Sequence, residues 1–137
     1  MHIDTVCFSH ILSPNDLADL DYFLSHTAFI VSHKSESVET LLGVLWYLPV
    51  DSPILVVTNC PQDDIEQMKL GLAEQLPHHQ KVYLIHQKDE GIADFFSRCG
   101  MDSILGRDGK VVDGKGEGMY IGTLCAFLLG YPEWVIF

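Results

Sequence analysis

The stretch Ile54-Leu55-Val56-Val57-Thr58-Asn59-Cys60-Pro61 passes from an unbroken apolar run to a polar turn and then to a proline. A short apolar run without polar alternation is the pattern of a strand covered on both faces. Proline suits the first turn of a helix, because the N–H it lacks would have had no partner there. Strand, polar loop and helix are thus one unit. The unit recurs in both directions along the chain.

Upstream, Ala28-Phe29-Ile30-Val31 reads as a strand and Ser32-His33-Lys34-Ser35-Glu36 as its loop. From Ser37 the pattern turns helical, with Val38, Leu41, Leu42, Leu45 and Trp46 on one side until Pro49. Downstream of Pro61, Ile65, Met68, Leu72 and Leu76 mark a second helix, and Val82-Tyr83-Leu84-Ile85 a third strand. His86-Gln87-Lys88-Asp89 leads into a short helix from Ile92 to about Cys99. A polar connection from Gly100 to Gly116 follows, with a small hairpin at Arg107-Asp108-Gly109-Lys110.

The next helix carries Met119, Ile121, Leu124, Phe127 and Leu128 with almost no polar face, which predicts full burial. Gly118 and Gly122, one turn apart, would let it approach a sheet closely. Trp134-Val135-Ile136-Phe137 reads as a fourth strand. This alternation predicts an α/β fold with a doubly wound, mostly parallel sheet, whose ligands sit beyond the carboxyl ends of the strands. The sheet is expected to be truncated after that fourth strand. Residues 1–26 read as a lead-in, with Ser13-Pro14-Asn15-Asp16 capping a helix that carries Leu17, Leu20, Phe23 and Leu24. Residues 27–137 read as one partial domain.

A chain of 137 residues, 47% hydrophobic, can bury one sizeable core. Its apolar runs fall short of the roughly 18 residues that a membrane span needs, and its start lacks a basic n-region, so the reading is a cytoplasmic protein with no membrane partner. Cys7, Cys60, Cys99 and Cys125 lie far apart without a C-x-x-C pair, which argues against a zinc knuckle or a disulfide framework. A formal net charge of −11 repels nucleic acid at long range, so no nucleic-acid partner is expected and any anionic ligand must be held locally. Of only eight basic side chains, Lys34, Lys88, Lys110 and Lys115 fall in connections between elements.

The most informative connection is Asp113-Gly114-Lys115-Gly116-Glu117-Gly118-Met119, where a lysine stands between glycines at the mouth of an apolar helix. Free N–H groups at a helix start, a nearby cation and glycines that admit close approach suit a phosphate. The same residues would equally make a tight turn, with Glu117 placed against the helix dipole. Gly109, Gly114 and Lys115 satisfy part of a P-loop, but Gly116 stands where that motif needs a Ser or Thr hydroxyl. The G-x-G-x-G spacing is not a Rossmann fingerprint either.

Taken together, His86-Gln87-Lys88-Asp89 and Gly114-Lys115-Gly116-Glu117-Gly118-Met119, at their mutual spacing, resemble the mannosyl-3-phosphoglycerate synthases. Val56-Val57-Thr58-Asn59 and Leu42-Gly43-Val44-Leu45 add to a resemblance that runs from about Thr27 to Phe137. It implies the nucleotide-binding half of a Rossmann-like GT-A glycosyltransferase, which transfers mannose from GDP-mannose to 3-phosphoglycerate with retention, towards mannosylglycerate. It also implies a divalent cation such as magnesium, held by an Asp-x-Asp segment expected just beyond Phe137, and a possible homodimer in the full-length form. Nucleotide-sugar contacts would fall on Ser32, Lys34, Glu36, Asn59, Gly114, Lys115 and Gly116, with Gln87, Lys88 and Glu117 at the substrate rim. Glu36 matches the Glu of a Pro-x-x-x-Glu loop around the base, where Ser32 replaces the Pro. No catalytic residue or metal ligand is expected within the chain, which alone should be inactive. The alternatives are a stand-alone nucleotide- or phosphate-binding module without catalysis and a receiver-like domain. The latter is weakened because no acidic cluster follows the first strand.

Overall fold

A computed structural model describes residues 16–131 and 133–137. The expected cap at Ser13–Asn15 lies outside the described residues, as does Cys7. Helix α1 (Asp16–Ser25) leads directly into β1 (Thr27–His33), and there follow α2 (Val38–Leu45), β2 (Ile54–Thr58), α3 (Gln62–Gln75) and β3 (Val82–His86). Helix α4 (Glu90–Arg98), a 3-10 turn at Asp102–Ile104, α5 (Lys115–Leu128) and β4 (Trp134–Ile136) complete the order. Within α1, Leu20 is exposed, while Phe23 reaches in to meet the ring of Trp134 at 5.8 Å.

The four strands form one parallel sheet in the order β3-β2-β1-β4. All five residues of β2 are buried, as its unbroken apolar run requires of a central strand. Ile54 and Val56 face a core made with Leu41, Leu42 and Leu45 of α2 and with Met68 and Leu72 of α3. Leu55 and Val57 face the other side, where Ala126 and Ile121 of α5 and Phe96 of α4 pack. Helices therefore cover both faces, and the winding reverses at β1. The resulting crevice beyond the carboxyl ends is where ligands of such sheets bind.

Two elements differ from the sequence expectation. The α2 helix stops at Leu45, leaving Trp46 as its exposed C-terminal cap rather than part of its buried stripe. Helix α5 is covered on one side only. Gly118, Ile121, Gly122 and Ala126 are buried, whereas Tyr120, Phe127 and Leu128 are each more than 60% exposed. A lack of polar residues signals that a helix can be buried all round, but nothing among the described residues packs on its outer side.

The two glycines do set the approach of α5 to the sheet. A Cβ at Gly122 would overlap Ile30 Cγ2 of β1, and one at Gly118 would lie 2.6 Å from Ser32 Oγ. The polar connection before α5 forms the expected turn, with Gly109 at φ +71° and Leu105 bridging Val111. That bridge drives Val111 into the core against Val57, Phe96 and Ile121. No helix among the described residues is long and apolar enough to cross a membrane.

Candidate functional site

Strand register determines where the site lies. His33 of β1 pairs with Thr58 of β2, which pairs with His86 of β3, so three polar loops leave the sheet at one level. His33, almost fully buried, fastens the first of them. Its Nε2–H donates to the Glu36 carbonyl at 2.8 Å, and its Nδ1 is hydrogen-bonded to the Thr58 hydroxyl at 2.9 Å. The Cys60 thiol donates to the Lys34 carbonyl, joining the β1 and β2 loops a second time. Between these loops lies a cleft of about 420 Å³, lined among others by Lys34, Glu36, Val38, Asn59, Asp64 and Met68.

Glu36 stands at its mouth. One carboxylate oxygen accepts the Lys34 backbone N–H at 2.7 Å, and the other pairs with the ammonium of Lys115 at 3.1 Å. The Lys34 N–H, then Glu36's own N–H, then Lys115 bring its carboxyl pKa down to about 2. The carboxylate is therefore ionised in any neutral medium.

Asp113 joins the remaining basic groups. Its carboxylate receives Lys88 Nζ at 3.1 Å and the amide of Asn59 at 3.4 Å, while its carbonyl receives Lys34 Nζ. Lys88 also donates to the Val111 carbonyl at 2.7 Å. The hydrogen bond from Lys88, followed by that from Asn59, outweighs desolvation and holds the Asp113 carboxyl below its ordinary range.

The expected residues thus divide into three groups. Lys34, Glu36, Asn59, Lys88, Gly114 and Lys115 gather at one rim. Gln87, expected at the substrate rim, is instead fully buried, and its amide donates to the carbonyls of Val112 and Gly114 at 2.8 and 3.0 Å. Ser32 lies beneath α5 with it, and the Ser32 hydroxyl and the Gln87 carbonyl oxygen are both buried without a partner among the described residues. Gly116 and Glu117 border a separate, largely apolar hollow with Met119, Tyr120, Thr123 and Phe137.

Close backbone approach accounts for Gly118 but not for Gly116, where an added Cβ would meet nothing within 4 Å. A Cβ at Gly114 would meet the Glu117 carboxylate, the far end of a flexible side chain. Asp113 and His33 are the residues that sequence reasoning missed as site components. Neither stands in a recognisable spacing, and their partners come from other strand ends. Among the described residues, no three His, Cys, Asp or Glu side chains stand together as a cation would require.

With this geometry in hand, the comparisons with known proteins are specific. The family model for mannosyl-3-phosphoglycerate synthase matches residues 4–137. A mannosyl-3-phosphoglycerate synthase of Pyrococcus furiosus is 34% identical over 113 residues, covering 78% of this chain and 28% of the relative. One of Aeropyrum pernix is 29% identical over 119 residues, covering 84% of this chain and 31% of the relative. The chain therefore spans less than a third of the length of the curated relatives it matches. From a family match over nearly its whole length, the chain belongs to the mannosyl-3-phosphoglycerate synthase family.

Proposed function

We propose that this chain supplies the donor-nucleotide side of a retaining transferase that moves mannose from GDP-mannose to 3-phosphoglycerate, in the formation of mannosylglycerate. The observation that carries the reading is the meeting of Glu36 and Lys115 at the mouth of the cleft between the β1 and β2 loops. The cleft takes the base. An ionised carboxylate at its edge is the acceptor that guanine's N1–H and N2–H donors need, and adenine and uracil do not present that pair of donors. Lys115, at the start of α5, meets the diphosphate, with the free N–H groups of that helix behind it.

The chain's own residues bind and orient the donor; they do not perform the bond exchange. A divalent cation belongs to the same reading, but the described residues offer no donor set that fits one, and no step of the transfer is assigned to it. Calorimetric titration of the chain with GDP, ADP and UDP tests the proposal. GDP should bind most tightly, and equal affinities for the three nucleotides would overturn it.

A further inference from the structure

Between Lys110 and Lys115 the chain carries a single acidic side chain, Asp113. It is placed where three strand ends converge: Lys34 follows β1, Asn59 follows β2 and Lys88 follows β3. All three turn towards Asp113. For Asn59, this is the only side-chain hydrogen bond among the described residues. The carboxylate is 58% exposed, so its pair with Lys88 adds little to stability. Its effect is on position. A lysine that rotates freely must lose that freedom when it meets a ligand, whereas one already held near the rim loses less. In a chain with a net charge of −11, local order among few cations decides whether an anion can be held at all.

We propose that Asp113 is a positioning residue for anion binding: its carboxylate holds Asn59 and Lys88 beside the Lys34 that its backbone carbonyl receives, so that a diphosphate meets an ordered group of donors. Being anionic, Asp113 does not itself touch the ligand. The inference rests on the nucleotide-diphosphate reading above and deepens it. It also has an unusual sign. Coulomb's law alone says that deleting a carboxylate beside an anion site tightens binding, whereas loss of a positioning group loosens it.

The test compares the parent chain with Asp113→Ala and Asp113→Asn, using calorimetric titration with inorganic pyrophosphate and with GDP. Nitrogen-15 relaxation of the Asn59 side-chain amide is measured alongside. Asp113→Ala should weaken both ligands by roughly tenfold and free the Asn59 amide. Asp113→Asn, which keeps a side-chain oxygen for Asn59 and Lys88, should fall between that variant and the parent; both variants keep the backbone carbonyl that receives Lys34. Equal or tighter pyrophosphate binding by Asp113→Ala overturns the proposal, whatever the amide does. Should that variant not fold, the same sign in Asp113→Asn decides. A parent that binds no pyrophosphate also overturns it. A parent that binds pyrophosphate without preferring GDP to ADP or UDP defeats the donor reading and leaves the role of Asp113 standing or falling on the pyrophosphate comparison.

Discussion

The ammonium of Lys115 lies 3.1 Å from one carboxylate oxygen of Glu36, and the pair joins the first turn of α5 to the loop after β1 across the mouth of the cleft. Both side chains are more than a third exposed, at 59% and 37%, so the pair itself is worth only about 0.2–1 kcal/mol. A charge-assisted hydrogen bond to a bound diphosphate is worth about 1.5–3 kcal/mol, which exceeds what Lys115 gives up on leaving Glu36. Lys115→Ala should therefore weaken GDP binding by roughly tenfold or more while leaving thermal unfolding almost unchanged. Lys69→Ala, midway along α3, is the control. Added salt should weaken the parent more than Lys115→Ala. Equal affinities of parent and variant would reduce the Lys115 turn to a structural feature.

Glu36 gives a prediction in pH. Its folded-state pKa of about 2 lies below the ordinary 4.5, so the stabilisation from its contacts is complete above 4.5 and is lost as the pH falls towards 2. The largest cause is a backbone N–H rather than Lys115. Carbon-13 titration of the Glu36 carboxyl should therefore still give a clearly lowered midpoint in Lys115→Ala. A midpoint back near 4.5 in that variant would mean that the ammonium, not the Lys34 N–H, holds the carboxylate ionised.

These two residues also show what the sequence could reveal. The strands were legible because an apolar run such as Ile54–Val57 has few other uses, and the rim followed from the polar residues behind each run. The pairing of His33, Thr58 and His86 was not legible. Parallel strands joined by helical crossovers have no hairpin turn to fix their register, and an unbroken apolar run such as β2 lacks the alternation that would reveal it. Asp113 stayed hidden for a related reason: Lys34, Asn59 and Lys88 lie far from it in sequence and meet it only once the β1–β2 and β2–β3 crossovers have brought the strand ends together. On α5, apolar composition overstated burial, because Phe127 and Leu128 can be hydrophobic without a neighbour to cover them.

The glycines before and within α5 separate cleanly by their surroundings. Gly122→Ala forces a methyl into Ile30, whose Cγ1 and Cβ lie 3.2 and 3.3 Å from the new atom, and overpacking of this kind costs about 1–3 kcal/mol. Gly116→Ala meets nothing and replaces a flexible residue in the first turn of a helix, for a gain of about 0.5 kcal/mol. Urea unfolding should rank the proteins Gly116→Ala, parent, Gly122→Ala in falling stability. An inverted order would refute the account of how α5 meets the sheet.

Gln87 is expected to support the rim from below. Its amide is the donor to both the Val112 and Gly114 carbonyls, and Gly114 is the N-cap of α5. Gln87→Met keeps the volume and removes both bonds, while the Val112 and Gly114 carbonyls keep the backbone N–H groups of Gly114 and Gly118 as donors, so each lost bond costs about 0.5–1.5 kcal/mol. The variant should lose about 1–3 kcal/mol in urea unfolding and also bind GDP less tightly, because the Gly114 turn is less firmly fixed beneath Lys115. Gln87→Glu should be worse at neutral pH, since an ionised oxygen would then face two carbonyl oxygens. Burial and those carbonyls raise the pKa of the new carboxyl above its unfolded value, so the variant recovers stability as the pH falls and the group protonates, becoming a donor again. This is opposite in sign to the acid response expected of Glu36. A Gln87→Met protein as stable as the parent, or a Gln87→Glu protein that gains nothing on mild acidification, would show that the loop into α5 holds its shape without this side chain.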